Sequence, residues 1–159
     1  MFKGARILIV EDYYLFAKVV CDFVTDCGMR PIGPATKLDQ AIVYARQAPL
    51  DGAILDIDLR GQLSFPVCSV LNQRGIPFLF LSGYSDLSLV PQQFRVAPLV
   101  SKPFEDDEMR SAIATMLSGK LGSPFTRAIT TTSEDADPAT VGYIATRRRR
   151  RPSAPSLAY

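Results

Sequence analysis

The chain has 159 residues, 47% of them hydrophobic, which suffices for one domain with its own core and is short for two. It contains no histidine, which excludes histidine-based metal sites, Ser-His-Asp or Cys-His catalysis, and a histidine phosphodonor within the chain. Residues 1–120 carry 12 basic and 13 acidic side chains, so a basic nucleic-acid surface is not indicated there, whereas residues 121–159 carry 6 basic and 3 acidic ones.

Five apolar runs predict β-strands, which begin near Ala5, Met29, Gly52, Pro77 and Pro98. The intervals between them leave room for one helix each. Apolar residues at helical spacing predict these helices at residues 16–27, from 36 onwards, at 64–74 and at 104–118, with a short or irregular helix between 85 and 96. Alternating strands and helices predict an α/β fold, a five-stranded doubly wound parallel sheet of the flavodoxin-like order 2-1-3-4-5.

Local signals set the helix ends. Gly28 stops the first helix and Gly75 lies past the third, which tolerates Pro66 in its first turn. Thr36 is predicted to begin the second helix, with Asp39 three residues later as a variant of the capping box.

Polar side chains stand where the predicted strands end. Glu11 and Asp12 follow the first strand, Asp56 the third, Ser82 the fourth and Lys102 the fifth. The carboxyl edge of an open α/β sheet is where ligands bind, so these groups are expected to converge. Three carboxylates, a hydroxyl and an ammonium group suit a divalent cation and a phosphoryl group. Asp56 can then act as a carboxylate nucleophile that forms an aspartyl phosphate.

Over residues 4–120 the chain resembles the receiver domain of two-component response regulators. The resemblance rests on Glu11-Asp12, Leu55-Asp56-Ile57, Phe80-Leu81-Ser82-Gly83-Tyr84 and Lys102-Pro103-Phe104. It implies that Asp56 accepts a phosphoryl group from the phosphohistidine of a partner histidine kinase or phosphotransfer protein and relays a signal by protein–protein interaction. Homodimerisation is a further expectation, and no enzymatic activity is expected beyond self-phosphorylation and self-dephosphorylation.

The same resemblance implies roles for single residues. Mg²⁺ is expected to be held by Glu11 or Asp12, by Asp56 and by the backbone carbonyl of Asp58. Ser82 and Lys102 are expected to contact phosphoryl oxygens, and the peptide bond between Lys102 and Pro103 is expected to be cis.

Two residues bear on the step after phosphorylation. Many receivers have an aromatic residue three positions before the lysine, and here that position is Leu99. In those receivers the aromatic ring swings inward when the hydroxyl residue moves towards the phosphoryl group, and a leucine has no ring that could make this movement. Tyr84 is an alternative switch residue, and plain packing in its loop is the other interpretation of that residue.

Residues 121–159, rich in Pro, Ser and Thr and containing the run Arg147–Arg151, predict a disordered tail. The arginines are either a solvated end or a site that binds nucleic-acid phosphates without sequence specificity. The three cysteines, Cys21, Cys27 and Cys68, form no C-x-x-C pair, and no apolar stretch is long enough to span a bilayer. A cytoplasmic protein without membrane association is therefore expected.

Two other classes of protein stay open. Asp56-Ile57-Asp58 imitates the D-x-D motif of haloacid-dehalogenase-like phosphatases, although that motif ends the first strand there and the third one here. A flavodoxin-like cofactor binder would share the fold. Its first loop would have to cradle a phosphate, which Glu11 and Asp12 would repel.

Overall fold

The computed structural model describes residues 2–83 and 87–119. The strands are β1 Arg6–Val10, β2 Arg30–Ala35, β3 Gly52–Leu55, β4 Asp58–Leu59, β5 Gln62–Leu63, β6 Phe78–Ser82 and β7 Leu99–Ser101. The helices are α1 Tyr14–Asp26, α2 Leu38–Gln47, α3 Phe65–Gln73 and α4 Asp106–Ser118, and 3-10 turns lie at Leu87–Leu89 and Gln92–Phe94.

Five parallel strands form one sheet in the order β2-β1-β3-β6-β7. The strands β4 and β5 form a separate antiparallel hairpin, so the main sheet has the predicted 2-1-3-4-5 order and the predicted fold class is confirmed. The central strands are continuous apolar runs because helices cover both faces of the sheet. Residues 7–10 of β1 and 78–82 of β6 are buried throughout.

Successive residues of each strand supply opposite cores, as the strand period of two requires. In β1, Leu8 and Val10 join the core that α2 and α3 complete, while Ile7 and Ile9 join the core under α1 and α4. A side chain at Gly52 would meet the Met116 Cε at 2.8 Å, so glycine at the start of β3 lets α4 lie close to the sheet.

Three of the four predicted helix-end signals are confirmed, including Pro66 in the first turn of α3. Gly28 and Gly75 follow α1 and α3 with φ of 77° and 64°, a conformation that glycine adopts without steric cost. The prediction that Thr36 caps α2 is wrong. That helix begins at Leu38 without a side-chain cap, because the Gln40 Oε1 already accepts the Thr36 N–H at 3.1 Å and Asp39 instead accepts the Gln40 N–H.

The weak pattern between residues 85 and 96 is observed as the two 3-10 turns, in agreement with the predicted short or irregular helix. Predictions for Tyr84, for the tail at 121–159 and for Arg147–Arg151 concern residues outside the described part of the chain. Within the described part, every helix is too short or too polar to cross a membrane.

Candidate functional site

The carboxyl edge of the sheet brings the predicted acidic residues together. Val10 pairs with Leu55 at the ends of β1 and β3, and the Asp56 N–H donates to the Val10 carbonyl at 2.9 Å. The two strands therefore end side by side at the same edge of the sheet. Carboxylate oxygens of Glu11, Asp12 and Asp56 lie within 4.8 Å of one another.

Lys102 reaches this cluster from the end of β7. Its Nζ donates to the Asp56 Oδ2 at 2.6 Å and to the Glu11 Oε2 at 2.5 Å. The backbone N–H of Lys102 donates to the Ser82 carbonyl at 2.9 Å, so the hydrogen bonding between β6 and β7 continues one residue beyond the end of β7. The Lys102–Pro103 bond is cis, as expected from the resemblance.

An aromatic ring completes the surroundings of Lys102. The Phe16 ring of α1 lies with its centroid 4.9 Å from the Lys102 Nζ, a distance at which an ammonium group is attracted to an aromatic face. In the sequence analysis Phe16 is placed only at the start of the first predicted helix, among the apolar residues that mark its buried face. A helical stripe indicates which face is buried but not which group that face meets.

Burial sets the electrostatics of this cluster. Burial raises the pKa of Glu11, and the hydrogen bond and charge of Lys102 only partly oppose that rise. For Lys102, burial lowers the pKa, but hydrogen bonds to Asp56 and Glu11 together outweigh it and leave the pKa raised. Lys102 is therefore a permanent cation at neutral pH.

Asp12 has a different counterion. The Arg60 Nε lies 3.5 Å from the Asp12 Oδ2, and its guanidinium also donates to the Asp12 carbonyl at 3.4 Å. The sequence assigned no role to Arg60. The signal that could have found it is the pair Arg60-Gly61, which joins β4 to β5 as a tight turn.

The side chain of Asp58 belongs to that turn. Its Oδ1 accepts the Gly61 N–H at 2.5 Å, while the Asp58 N–H donates to the Asp56 Oδ1 at 3.3 Å. These contacts hold Asp58 beside Asp56 and engage one of its two carboxylate oxygens. The expected contact of the Asp58 backbone carbonyl with Mg²⁺ stays a prediction.

An open cleft of about 580 Å³ lies over these residues, lined by Asp12, Asp56, Asp58, Arg60, Gly83 and Lys102. Ser82 lies at the end of β6, next to Gly83, and is fully buried. Leu99 is half-buried opposite Phe80, so it sits beside the edge that carries the cleft rather than within the cleft lining.

The donor set fits Mg²⁺. Its candidate ligands are carboxylate oxygens, the hard donors that Mg²⁺ prefers, and the cleft leaves room for water and a phosphoryl group. Lys102 serves two of the three neighbouring carboxylates and the exposed Arg60 serves the third, so a divalent cation bound among them would add to a neutralisation that is weakest at Asp12.

A sequence model of the response regulator receiver domain matches residues 7–114. The chain is similar to the phyllosphere-induced regulator PhyR of Methylorubrum extorquens, with 29% identity over 117 residues that make up 72% of this chain and 44% of that protein. The chain therefore spans less than half the length of this curated relative.

Among solved structures, SdrG from Sphingomonas melonis Fr1 is 39% identical with a TM-score of 0.64, over 72% of this chain and 97% of that one. The response regulator PhyR from Brucella abortus is 26% identical with a TM-score of 0.64, over 78% of this chain and 52% of that one.

Proposed function

The chain belongs to the response regulator receiver domain family, and from that membership we propose that it accepts a phosphoryl group on Asp56 and relays a signal through protein–protein contacts. One observation supports this most strongly. The Asp56 carboxylate lies 2.6 Å from the Lys102 Nζ and shares its cleft edge with two more carboxylates. A nucleophile, a fixed cation and a metal-binding donor set are the groups that phosphoryl transfer needs.

In the proposed reaction, a carboxylate oxygen of Asp56 attacks phosphorus. The new O–P bond replaces the N–P bond of the donor's phosphohistidine, and the bonding electron pair returns to the imidazole. Lys102, already bound to Asp56, pairs with a phosphoryl oxygen. Ser82 donates a hydrogen bond to another, which requires a local movement because Ser82 is fully buried.

Mg²⁺ would be held by Glu11 or Asp12, by Asp56 and by the Asp58 carbonyl, and when bound it neutralises charge on the phosphoryl oxygens. The contacts of this chain favour Asp12 over Glu11 for that role. Glu11 is 2% exposed and committed to Lys102, whereas Asp12 lines the cleft.

The phosphodonor is proposed to be a histidine kinase or phosphotransfer protein on the strength of the family membership, and the 159 residues contain no histidine of their own that could take that role. The domain boundaries at 4 and 120, the cytoplasmic location, a homodimer and the binding of nucleic acid by Arg147–Arg151 stay predictions. The expectation that the chain catalyses only its own phosphorylation and dephosphorylation belongs with them.

The phosphatase alternative is not favoured by the contacts of Asp58. A haloacid-dehalogenase-like enzyme would use Asp58 as its second catalytic carboxylate, but that carboxylate accepts the Gly61 N–H within a turn. Hydrolysis of phosphate esters by the purified protein would revive this alternative. A protein that purifies with a coloured cofactor would favour the flavodoxin-like one.

Labelling with a small phosphodonor tests the proposal. With acetyl phosphate and Mg²⁺, intact mass spectrometry is expected to show one added phosphoryl group on the wild type and on Asp39→Asn, an exposed control in α2. Asp56→Asn should remain unlabelled. Equal labelling of Asp56→Asn would contradict the assignment of the acceptor.

A further inference from the structure

The turn between β4 and β5 has an unusual residue in it. Asp58 pairs with Leu63 and Leu59 with Gln62, so Arg60 and Gly61 close the hairpin as a two-residue loop. Their φ values are 56° and 86°, the arrangement of a type I′ turn, for which Asn-Gly is the preferred pair. Within the described residues, Arg60 is the one non-glycine residue with positive φ. Arginine there is sterically unfavourable.

This turn places a cation on a carboxylate from a distant part of the chain. The Arg60 guanidinium pairs with the Asp12 carboxylate at 3.5 Å and donates to the Asp12 carbonyl, across 48 residues of sequence. The Arg60 side chain is 74% exposed and that of Asp12 21%. Such a pair is weak and is readily exchanged for another cation.

The three clustered carboxylates are therefore neutralised in two ways. Glu11 and Asp56 share the buried ammonium of Lys102 at 2.5 and 2.6 Å. Asp12 instead pairs with a solvent-exposed guanidinium at the mouth of the cleft. Of the three, Asp12 thus has the counterion that can leave at the lowest cost.

Resting on the proposed function, we infer that Arg60 is a competing cation: it holds Asp12 when Mg²⁺ is scarce and releases Asp12 to Mg²⁺, so that it sets the Mg²⁺ concentration at which the site fills. The loss of Arg60 would strengthen Mg²⁺ binding in two ways. Loss of Arg60 frees the Asp12 carboxylate, and it removes a positive charge that repels the incoming metal.

Calorimetric titration of the full chain with Mg²⁺ tests this inference. Arg60→Asn removes the cation while it supplies the preferred Asn-Gly turn, so the variant is expected to keep its fold. It should bind Mg²⁺ about three- to tenfold more tightly than the wild type, as expected for the loss of an exposed ion pair and of its repulsion. Arg60→Lys keeps the charge and should stay nearer to the wild type.

A matched control separates competition at Asp12 from net charge. Arg30→Asn removes the same charge from an exposed position at the start of β2, the opposite edge of the sheet. It should bind Mg²⁺ as the wild type does. Equal gains in Arg30→Asn and Arg60→Asn would overturn the inference, as would an Arg60→Asn variant that binds no more tightly than the wild type.

The titration also separates this inference from the function on which it rests. A wild type that binds no Mg²⁺ overturns both the proposed metal site and the role of Arg60. A wild type that binds Mg²⁺ with an affinity unchanged in Arg60→Asn removes the role of Arg60 alone.

Discussion

Replacing Lys102 by methionine removes the cation that Glu11 and Asp56 share while it keeps most of the side-chain volume. The side chains of Lys102, Asp56 and Glu11 are 18%, 11% and 3% exposed, so the two carboxylates would lose their shared counterion with little solvent to replace it, least of all at Glu11. Breaking a buried ion pair by removing one partner costs about 3–5 kcal/mol. We expect about 3 kcal/mol for Lys102→Met, the lower end, because water still reaches Lys102 and Asp56.

Thermal unfolding of the full chain in EDTA measures this loss. For a domain of this size about 3 kcal/mol lowers the Tm by about 10 °C. Lys18→Met is the matched control, because the Lys18–Asp22 pair at 2.6 Å has both side chains 60% exposed. Solvent screens that pair, so its loss should lower the Tm by only about 1–2 °C.

Two changes of condition make the test more specific. Added Mg²⁺ should reduce the difference in Tm between Lys102→Met and the wild type, because the proposed metal site uses the same carboxylates in the folded state. Lower pH should also reduce this difference in Tm. Burial already raises the pKa of Glu11, and the loss of Lys102 removes the main interaction that opposes that rise. A carboxyl with a raised pKa in the folded state destabilises the fold at high pH, and this cost fades as pH falls through that pKa.

A Lys102→Met variant that melts in EDTA at the temperature of the wild type would refute the reasoning. So would a deficit equal to that of Lys18→Met, since it would mean that the buried pair behaves as a surface pair. A deficit in Tm that does not shrink as the pH is lowered from neutrality towards the ordinary pKa of a glutamate would contradict the assignment of the cost to an unpaired carboxylate.

Three further predictions concern other parts of the domain. Arg60→Asn should raise the Tm in EDTA, because relief of about 1–2 kcal/mol of left-handed strain exceeds the loss of an exposed pair of about 0.2–1 kcal/mol; a lower Tm would contradict this. Burial raises the pKa of the Cys68 thiol to about 12, so iodoacetamide should modify Cys68 only in denatured protein, and peptide mapping that finds native Cys68 modified would count against it. Leu99→Ala should leave labelling of Asp56 largely intact and change partner binding, whereas loss of labelling would overturn that expectation.

The sequence alone was sufficient to predict the sheet and the edge of the sheet at which its strands end. Parallel strands covered on both faces need unbroken apolar runs, and Ile7–Val10 and Phe78–Leu81 are such runs. A polar residue directly after each run then lies at the carboxyl edge whatever the details of the helices. Asp56 and Lys102 could be placed together in this way, although they lie 46 residues apart.

Contacts made by long side chains could not be predicted. In the sequence analysis Glu11 and Asp12 are treated as one acidic pair, whereas in the structure Glu11 pairs with the partly buried Lys102 and Asp12 pairs with the exposed Arg60. That division depends on the hairpin turn, for which Gly61 is a signal in the sequence, although an arginine before it is not the residue that such a turn prefers. The prediction of the α2 cap was wrong for a related reason. The long side chain of Gln40 reaches back and accepts the Thr36 N–H, a contact that the sequence does not reveal.

The most direct test of the central claim identifies the modified residue itself. After labelling with acetyl phosphate and Mg²⁺, borohydride reduces an acyl phosphate to an alcohol and so converts a phosphorylated aspartate to homoserine. Peptide sequencing by mass spectrometry is expected to find homoserine at position 56 and nowhere else. Homoserine at another aspartate, or a phosphoryl group recovered on Ser82, would contradict the account.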